Sequence, residues 1–344
     1  MYESDRTDAA FYFAAEEYIM RELRPSGAAL ILWSTGDTVM IGANQVATAE
    51  CDLAYMKSAG IGLVRRPSGG GAIFTDRGTL QYTFILPYTP ALPSRQTVSG
   101  DAGQAAREWL AEPAIEALAA LGIEASLEGR NDITIAGKKV SGLAQHVKHG
   151  YICSHGSLLI DTDLEKLARA LTVDSEKIKT KAIASVRARV TNVADELCKS
   201  YARRGALLSC VSPVADELCK SYARRGALSR RAFSPDQIGR IEEIMRERYL
   251  SPGWTFGRDP AFTFTNKRRF PGGSIEVFLD VKGGVIREAK VTGDFLALRP
   301  IEELEGRLEG VPHREDALTE ALRPLDVESY LGSLGARELL AALI

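Results

Sequence analysis

Apolar positions recur along the chain with two different periods, and the switches between them mark out the elements. Over residues 8–23, Ala15, Tyr18, Ile19 and Leu23 recur at helical spacing, with Glu16, Glu17 and Arg21 between them, which predicts a helix with one apolar face. Two short apolar runs follow, 29–33 and 38–41, and the Ser34-Thr35-Gly36-Asp37 interval predicts that they form a hairpin. Over 79–86, Leu80, Tyr82, Phe84 and Leu86 alternate with Thr79, Gln81 and Thr83, the pattern of a half-buried strand. A Pro-rich stretch over 86–93 then leads to an Ala-rich helix over 101–121, ended by Gly122.

Strands are expected over 138–147 and 151–160, turning at Lys148-His149-Gly150. Ser234, Pro235 and Gln237 are concordant start signals for a helix whose face carries Ile238, Ile241, Met245 and Tyr249. Ser251-Pro252-Gly253 breaks that helix and divides the chain into a domain over 1–250 and a second over 251–344. In the second, Ile275, Val277, Leu279 and Val281 alternate with Ser274, Glu276, Phe278 and Asp280 as a strand, and helical Leu and Ala stripes follow. Helices and strands in this mixed order imply an α+β fold with a mixed or antiparallel sheet rather than a doubly wound parallel one.

One block stands apart. The fifteen residues of 193–207 recur without a difference at 214–228. Two short copies are too few for a solenoid, so a local duplication is the simpler account. It predicts that one copy packs poorly and that deleting 193–213 preserves or raises stability.

Composition narrows the class. Hydrophobic residues are 45% and charged residues 26% of 344, and 43 Lys+Arg against 45 Asp+Glu leave a net charge of −2, with no basic excess to suit nucleic acid. No run reaches a membrane span, the N-terminus is acidic where a secretory signal is basic, and five cysteines without paired spacing suit reduced thiols. A two-domain cytoplasmic protein that binds neither membrane nor nucleic acid is expected.

Three stretches carry candidate chemistry. Arg65-Arg66-Pro67-Ser68-Gly69-Gly70-Gly71-Ala72 offers exposed backbone N–H groups and a guanidinium, suited to phosphate or carboxylate, although a tight turn with two solvated arginines has the same signature. Asn131-Asp132 precedes Lys138-Lys139-Val140-Ser141-Gly142. On a strand Lys138 and Lys139 face opposite sides, and Lys139 shares a face with Ser141. His146, His149, Cys153 and His155 invite a zinc reading, but alternation separates His146 from His149 and no second cluster completes a site. Cys153 and His155, two apart on a strand, would share a face as a nucleophile and base, without a third orienting group.

In combination these stretches resemble the lipoate–protein ligase family. Arg65 to Phe74, Gly129 to Ile133 with Gly137 to Gly142, Ser154 to Asp161, and Lys181 to Asn192 stand in the family's order. The Glu16-Glu17 helix and the run Thr38 to Gln45 resemble its N-terminal portion. Trp254 to Gly257 with Phe262, Arg269-Phe270 and Gly310 resemble its accessory domain. The resemblance implies a biotinyl/lipoyl ligase-like catalytic domain followed by a small α+β accessory domain. It implies that Lys139 is the catalytic lysine and that Arg66, Ser68, Gly69, Gly70, Gly71 and Ala72 surround the lipoyl and phosphate groups. Asn131 and Asp132 match the adenylate and metal-side motif, Ser141 and Gly142 follow the lysine, and His155 matches the histidine of a His-Gly-Thr strand. Lys181, with Val186 to Arg189, matches the loop that closes over the adenylate. Thr75 and Ser154 depart from the family's usual histidines.

Lipoate, ATP and Mg²⁺ are the implied small molecules. A lysine on a lipoyl carrier domain is the implied acceptor, in a 2-oxoacid dehydrogenase complex or the glycine cleavage H protein, and the enzyme is expected to be a monomer. Acyltransferases of similar fold pass the acyl group through a cysteine shortly before the equivalent lysine. Asn131-Asp132 occupies that place here, and no cysteine stands between Cys51 and Cys153. An inactive lipoate-binding paralogue is the non-enzymatic alternative.

Overall fold

The computed structural model describes residues 1–88, 102–129, 131–171, 186, 188–201, 211–226, 229–256 and 263–344. The strands are β1 (Tyr2–Glu3), β2 (Ala29–Trp33), β3 (Thr38–Ile41), β4 (Gly62–Arg65), β5 (Ile73–Thr75), β6 (Thr79–Pro87), β7 (Ser126–Glu128), β8 (Asp132–Ile135), β9 (Lys138–Lys148), β10 (Tyr151–Leu159) and β11 (Arg231–Ala232). Eight of them form one mixed sheet in the order β11-β1-β2-β6-β10-β9-β8-β7, and a smaller sheet has the order β4-β3-β5. The fold is α+β, as the alternation of periods predicts.

The expected hairpin of 29–33 with 38–41 does not form. β2 pairs antiparallel with β6 and parallel with β1, while β3 crosses to the smaller sheet between β4 and β5. Both edges of β2 are thus taken by distant segments, which a short intervening turn cannot reveal. The β9–β10 hairpin does form, and His149 (φ 54°) and Gly150 (φ 80°) take consecutive left-handed conformations, the two-residue turn that matches strand twist.

β6 is buried on both faces rather than one, because helices cover both sides of the sheet. Leu80, Tyr82 and Phe84 pack under the helices Ala102–Ala120 and Val211–Ala223. Gln81, Thr83 and Ile85 point the other way, where Ile85 joins a core with Phe11, Phe13 and Ile241 of the helices Ala9–Tyr18 and Pro235–Ile244. The latter helix begins with the expected capping box between Ser234 and Gln237.

The last part of the chain builds its own core. β12 (Phe264–Phe270), β13 (Gly273–Lys282) and β14 (Val285–Gly293) form an antiparallel meander. Ile275, Val277 and Leu279 are wholly buried there against the helices Ile301–Leu308, Glu315–Leu322 and Ala336–Leu343. The short helix Pro252–Phe256 packs back on the N-terminal part, where the carbonyls of Trp254 and Thr255 accept from the Arg65 guanidinium.

Both copies of the duplicated block contribute to the core. Val193 and Leu197 of the first copy and Val214 and Leu218 of the second, equivalent pairs, are all buried in one cluster under the main sheet. The expectation of a poorly packed copy is therefore corrected: the amphipathic pattern is the same in both, and the structure offers each an apolar surface. Deleting 193–213 removes one of these two packed helices, so it is expected to lower stability rather than preserve it.

The second copy is also anchored by charge. Arg225 bonds Glu116 at 2.7 Å, and Ser221 and Arg224 reach the same carboxylate. The Arg225 hydrogen bond leads in holding the Glu116 carboxyl down from 4.5 to about 2. A carboxylate whose folded pKa is depressed adds stability above its ordinary pKa and loses it as protons return. The stability difference between wild type and Glu116→Gln is therefore expected to be steady above pH 4.5 and to shrink toward pH 2. Urea unfolding across that range checks it, and a difference independent of pH would contradict it.

Candidate active site

Where β4 ends, the chain turns through the triple-glycine segment and returns as β5, placing that turn above the strands β6, β10 and β9 of the large sheet. A cleft lies between them, with Arg66, Gly70, Gly71 and Ala72 on one side and Asn131, Lys139 and Gly142 on the other. Phe13, Trp33, Met40 and Ile73 close its apolar end, and His155 and Gln81 lie along its floor.

Lys139 owes its position to a β-bulge. The β8–β9 register pairs Ile133 with Ser141 but Thr134 with Lys139, so Val140 is an extra residue and the alternation of β9 breaks there. Lys139 and Ser141 consequently do not share a face, contrary to the strand reading. Ser141 is buried against the Tyr82 hydroxyl at 3.2 Å and is not in the cleft wall. The Lys139 ammonium instead lies over Gly142, where a Cβ would stand 3.0 Å from Nζ. It pairs with Asp132 at 2.7 Å. The Lys139 carbonyl accepts from Thr191 N–H, which ties the start of the helix Val193–Tyr201 to the lysine strand.

The two arginines are structural supports for the turn rather than solvated charges. Arg65 bonds the carbonyls of Gly42, Ala43 and Gln45, and Arg66 those of Met40, Gly69 and Gly71. Burial first, and Arg65 second, push the Arg66 pKa down to about 10. Arg66 thus lines the cleft with its polar groups already engaged. Gly70 has φ 91° and donates its N–H to the Phe295 carbonyl, so that amide is occupied by the C-terminal part and is not open to a phosphate. Gly69 is required for the same approach, since a Cβ there would meet Phe295 O at 2.4 Å. Asn131 lines the cleft and donates from its side chain to the Leu143 carbonyl at 2.6 Å.

His155 and Ser68 come together differently from the reading of Ser68 as a substrate contact. Ser68 is fully buried outside the cleft wall, its Oγ 2.5 Å from His155 Nε2. His155 Nδ1 lies 3.3 Å from Glu16 Oε1, which also accepts from the Thr83 hydroxyl, and Thr83 in turn accepts from the Trp33 indole N–H. This relay fixes the ring of His155 and the indole of Trp33, both of which face the cleft. Lys181 lies outside the described residues.

Glu16 was the residue whose position the helix pattern hid. It reads as a polar position between apolar ones, yet it is wholly buried and Glu17 nearly so. The available signal was the run Ala9–Ala15, which leaves that helix without a polar face, so an acidic pair following it needs buried partners. Gln81 and Trp33 were likewise unassigned, because the polar face of β6 looks into a cleft and not into solvent.

Glu16, Cys153 and His155 also bring potential metal-ligating atoms within 4.8 Å of one another. Both His155 nitrogens are engaged, and burial, followed by Glu16, pushes the Cys153 thiol well above its ordinary range. A thiol kept protonated is a poor zinc ligand and a poor nucleophile.

A lysine, a glycine turn and an apolar slot converge on one cleft of this mixed sheet. A family model for the lipoyl protein ligase A/B catalytic domain matches residues 8–203, and one for the bacterial lipoate protein ligase C-terminus matches 259–343. The chain belongs to the lipoate–protein ligase family. It is 32% identical to lipoate-protein ligase LplJ of Bacillus subtilis, over 97% of this chain and 96% of that one, and 30% identical to lipoate–protein ligase 1 of Staphylococcus aureus over the same shares. Its fold matches that of P. falciparum LipL1, solved in complex with lipoate, with a TM-score of 0.73 at 19% identity over 93% of this chain and 92% of that one. A bipartite lipoate protein ligase from Thermoplasma acidophilum matches with a TM-score of 0.62 at 25% identity, over 76% and 97%.

Proposed function

We propose that this ATP-dependent lipoate–protein ligase joins lipoate to a carrier-domain lysine through lipoyl-AMP, with Lys139 as the catalytic residue at both steps. In the first, a lipoate carboxylate oxygen attacks the α-phosphorus of ATP, and the bond to pyrophosphate breaks. In the second, the carrier lysine amine attacks the acyl carbonyl, AMP leaves and the amine loses a proton. Both steps concentrate negative charge beside the acyl group. An ammonium that exchanges its Asp132 partner for that charge stabilises both transition states. The observation that carries the proposal is the bulge that turns Lys139 into the cleft opposite the glycine turn.

Asn131, Gly71, Ala72 and Gly142 complete the wall near the reacting groups, and Arg66 and Ser68 act through the loop and His155 that they hold. Asp132 offers a carboxylate oxygen of the kind Mg²⁺ takes beside nucleotide phosphates, and its half-exposed position beside the Lys139 ammonium fits that role. Bound there, Mg²⁺ would supply charge neutralisation for the phosphates. Lys181 belongs to the same proposal as a residue that contacts ATP or the adenylate.

The separate apolar core of the C-terminal part supports a division into a catalytic domain, 1–250, and an accessory domain, 251–344. The acceptors proposed are lipoyl domains of 2-oxoacid dehydrogenase complexes or the glycine cleavage H protein, met by a monomeric enzyme in the cytoplasm. No described helix is long and apolar enough to cross a membrane.

The test is incubation with lipoate, Mg-ATP and an apo lipoyl domain. Pyrophosphate release and a lipoyl mass gain on the domain are expected, with no acyl group on the enzyme. An acyl-thioester trapped on Cys153 would instead make the protein an acyltransferase.

A further inference from the structure

Gln81 lies on the cleft floor, only 4% exposed, and its Nε2 has no hydrogen-bond acceptor among the described residues. Its place along the cleft follows from strand register. Gly142 of β9 pairs with Ser157 of β10, Ser157 with Gln81 of β6, and Gln81 with Trp33 of β2, so the four form one row across the sheet. Lys139 Nζ rests on Gly142 at one end of the row. Gln81 stands two strands away, about 10 Å, on the side of the apolar end. An acid whose carboxylate meets Lys139 therefore lays the far part of its chain over Gln81. The Trp33 indole N–H is itself a donor, to Thr83, and both His155 nitrogens are held by Ser68 and Glu16, so neither ring accepts the orphan N–H.

We propose that Gln81 determines acid specificity, selecting acids that carry a hydrogen-bond acceptor near the far end of the chain, as the disulfide ring of lipoate does, over plain alkyl acids of similar length. The inference rests on the placement of the carboxylate at Lys139. A buried N–H facing only hydrocarbon keeps its full desolvation cost, whereas a ring sulfur, though a weak acceptor, relieves part of it. Sites built to hydrogen-bond a substrate reject analogues that lack the partner, because the protein group is then left unpaired.

The experiment measures kcat/KM for pyrophosphate release with lipoate, octanoate and a carbocyclic lipoate analogue that has cyclopentane in place of the disulfide ring. The wild type is compared with Gln81→Leu and with Gln81→Met, which keeps the unbranched shape. The wild type is expected to prefer lipoate to both sulfur-free acids, and each variant to shrink that preference about three- to tenfold, the scale of one modest hydrogen bond. A lipoate preference that is unchanged or larger in the variants overturns the role of Gln81. A preference over octanoate alone, with the carbocyclic acid used as well as lipoate, shows that ring shape selects and also overturns it. Wild-type enzyme inactive with all three acids would instead sink the active-site reading itself.

Discussion

Replacing Lys139 with alanine is expected to lower lipoate-dependent pyrophosphate release by about 10²–10³, the usual cost of one preorganised donor at a developing charge. The same variant should transfer lipoyl from preformed lipoyl-AMP to a carrier domain slowly as well, because the second step also builds an oxyanion at the acyl carbonyl. The fold should survive. The side chain is about a third exposed, and its partner Asp132 is about as open, so the unpaired carboxylate can be hydrated. Pyrophosphate release and thermal unfolding measured on one preparation separate the two effects. Normal release in a well-folded variant would take Lys139 out of the chemistry.

The second large effect is expected at Gly42, just after β3. A Cβ at this position would stand 2.1 Å from the Gly70 carbonyl oxygen and 3.3 Å from an Arg66 guanidinium nitrogen. The obstacle is backbone, so a side-chain rotation cannot relieve it. The turn it would displace is held from three sides, by Arg66 at Gly69 and Gly71, by Phe295 at Gly70, and by the Ala43 N–H at Ser68. Gly42→Ala should therefore shift the glycine turn against Lys139. Misplacement on the order of an ångström costs roughly 10²-fold in rate. The soluble fraction should show that loss together with a lower melting temperature. Unaltered kinetics would mean that the turn does not need this geometry.

Much of the architecture was legible in the sequence where the controlling interactions are local. The β9–β10 hairpin, the Ser234 capping box and the alternation of β13 each depend on residues within a few positions of one another. What was hidden depends on distant partners. β2 looked like half of a hairpin until β6 and β1 claimed both its edges, and Glu16 looked like a surface position although its partners come from β6 and β10.

The candidate site divides the same way. The motifs pointed to segments that border the cleft, but not to which atoms face it. One extra residue, Val140, turns Lys139 and Ser141 to different surroundings, and alternation cannot register that. The arginine pair read as an anion site because a guanidinium suits phosphate. It suits backbone carbonyls equally, and the turn supplies several. Gln81 was visible as a polar strand position, yet only the sheet register puts it in one row with Gly142 and Trp33 across the cleft.

The most direct measurement is a crystal structure of the enzyme with a non-hydrolysable lipoyl-adenylate analogue. The predicted result is that residue 139 has left its carboxylate partner and donates to oxygens of the acyl-phosphate linkage, with the carbon chain lying across the sheet toward Trp33. An ammonium still paired with Asp132, or turned to solvent away from the linkage, would contradict the account.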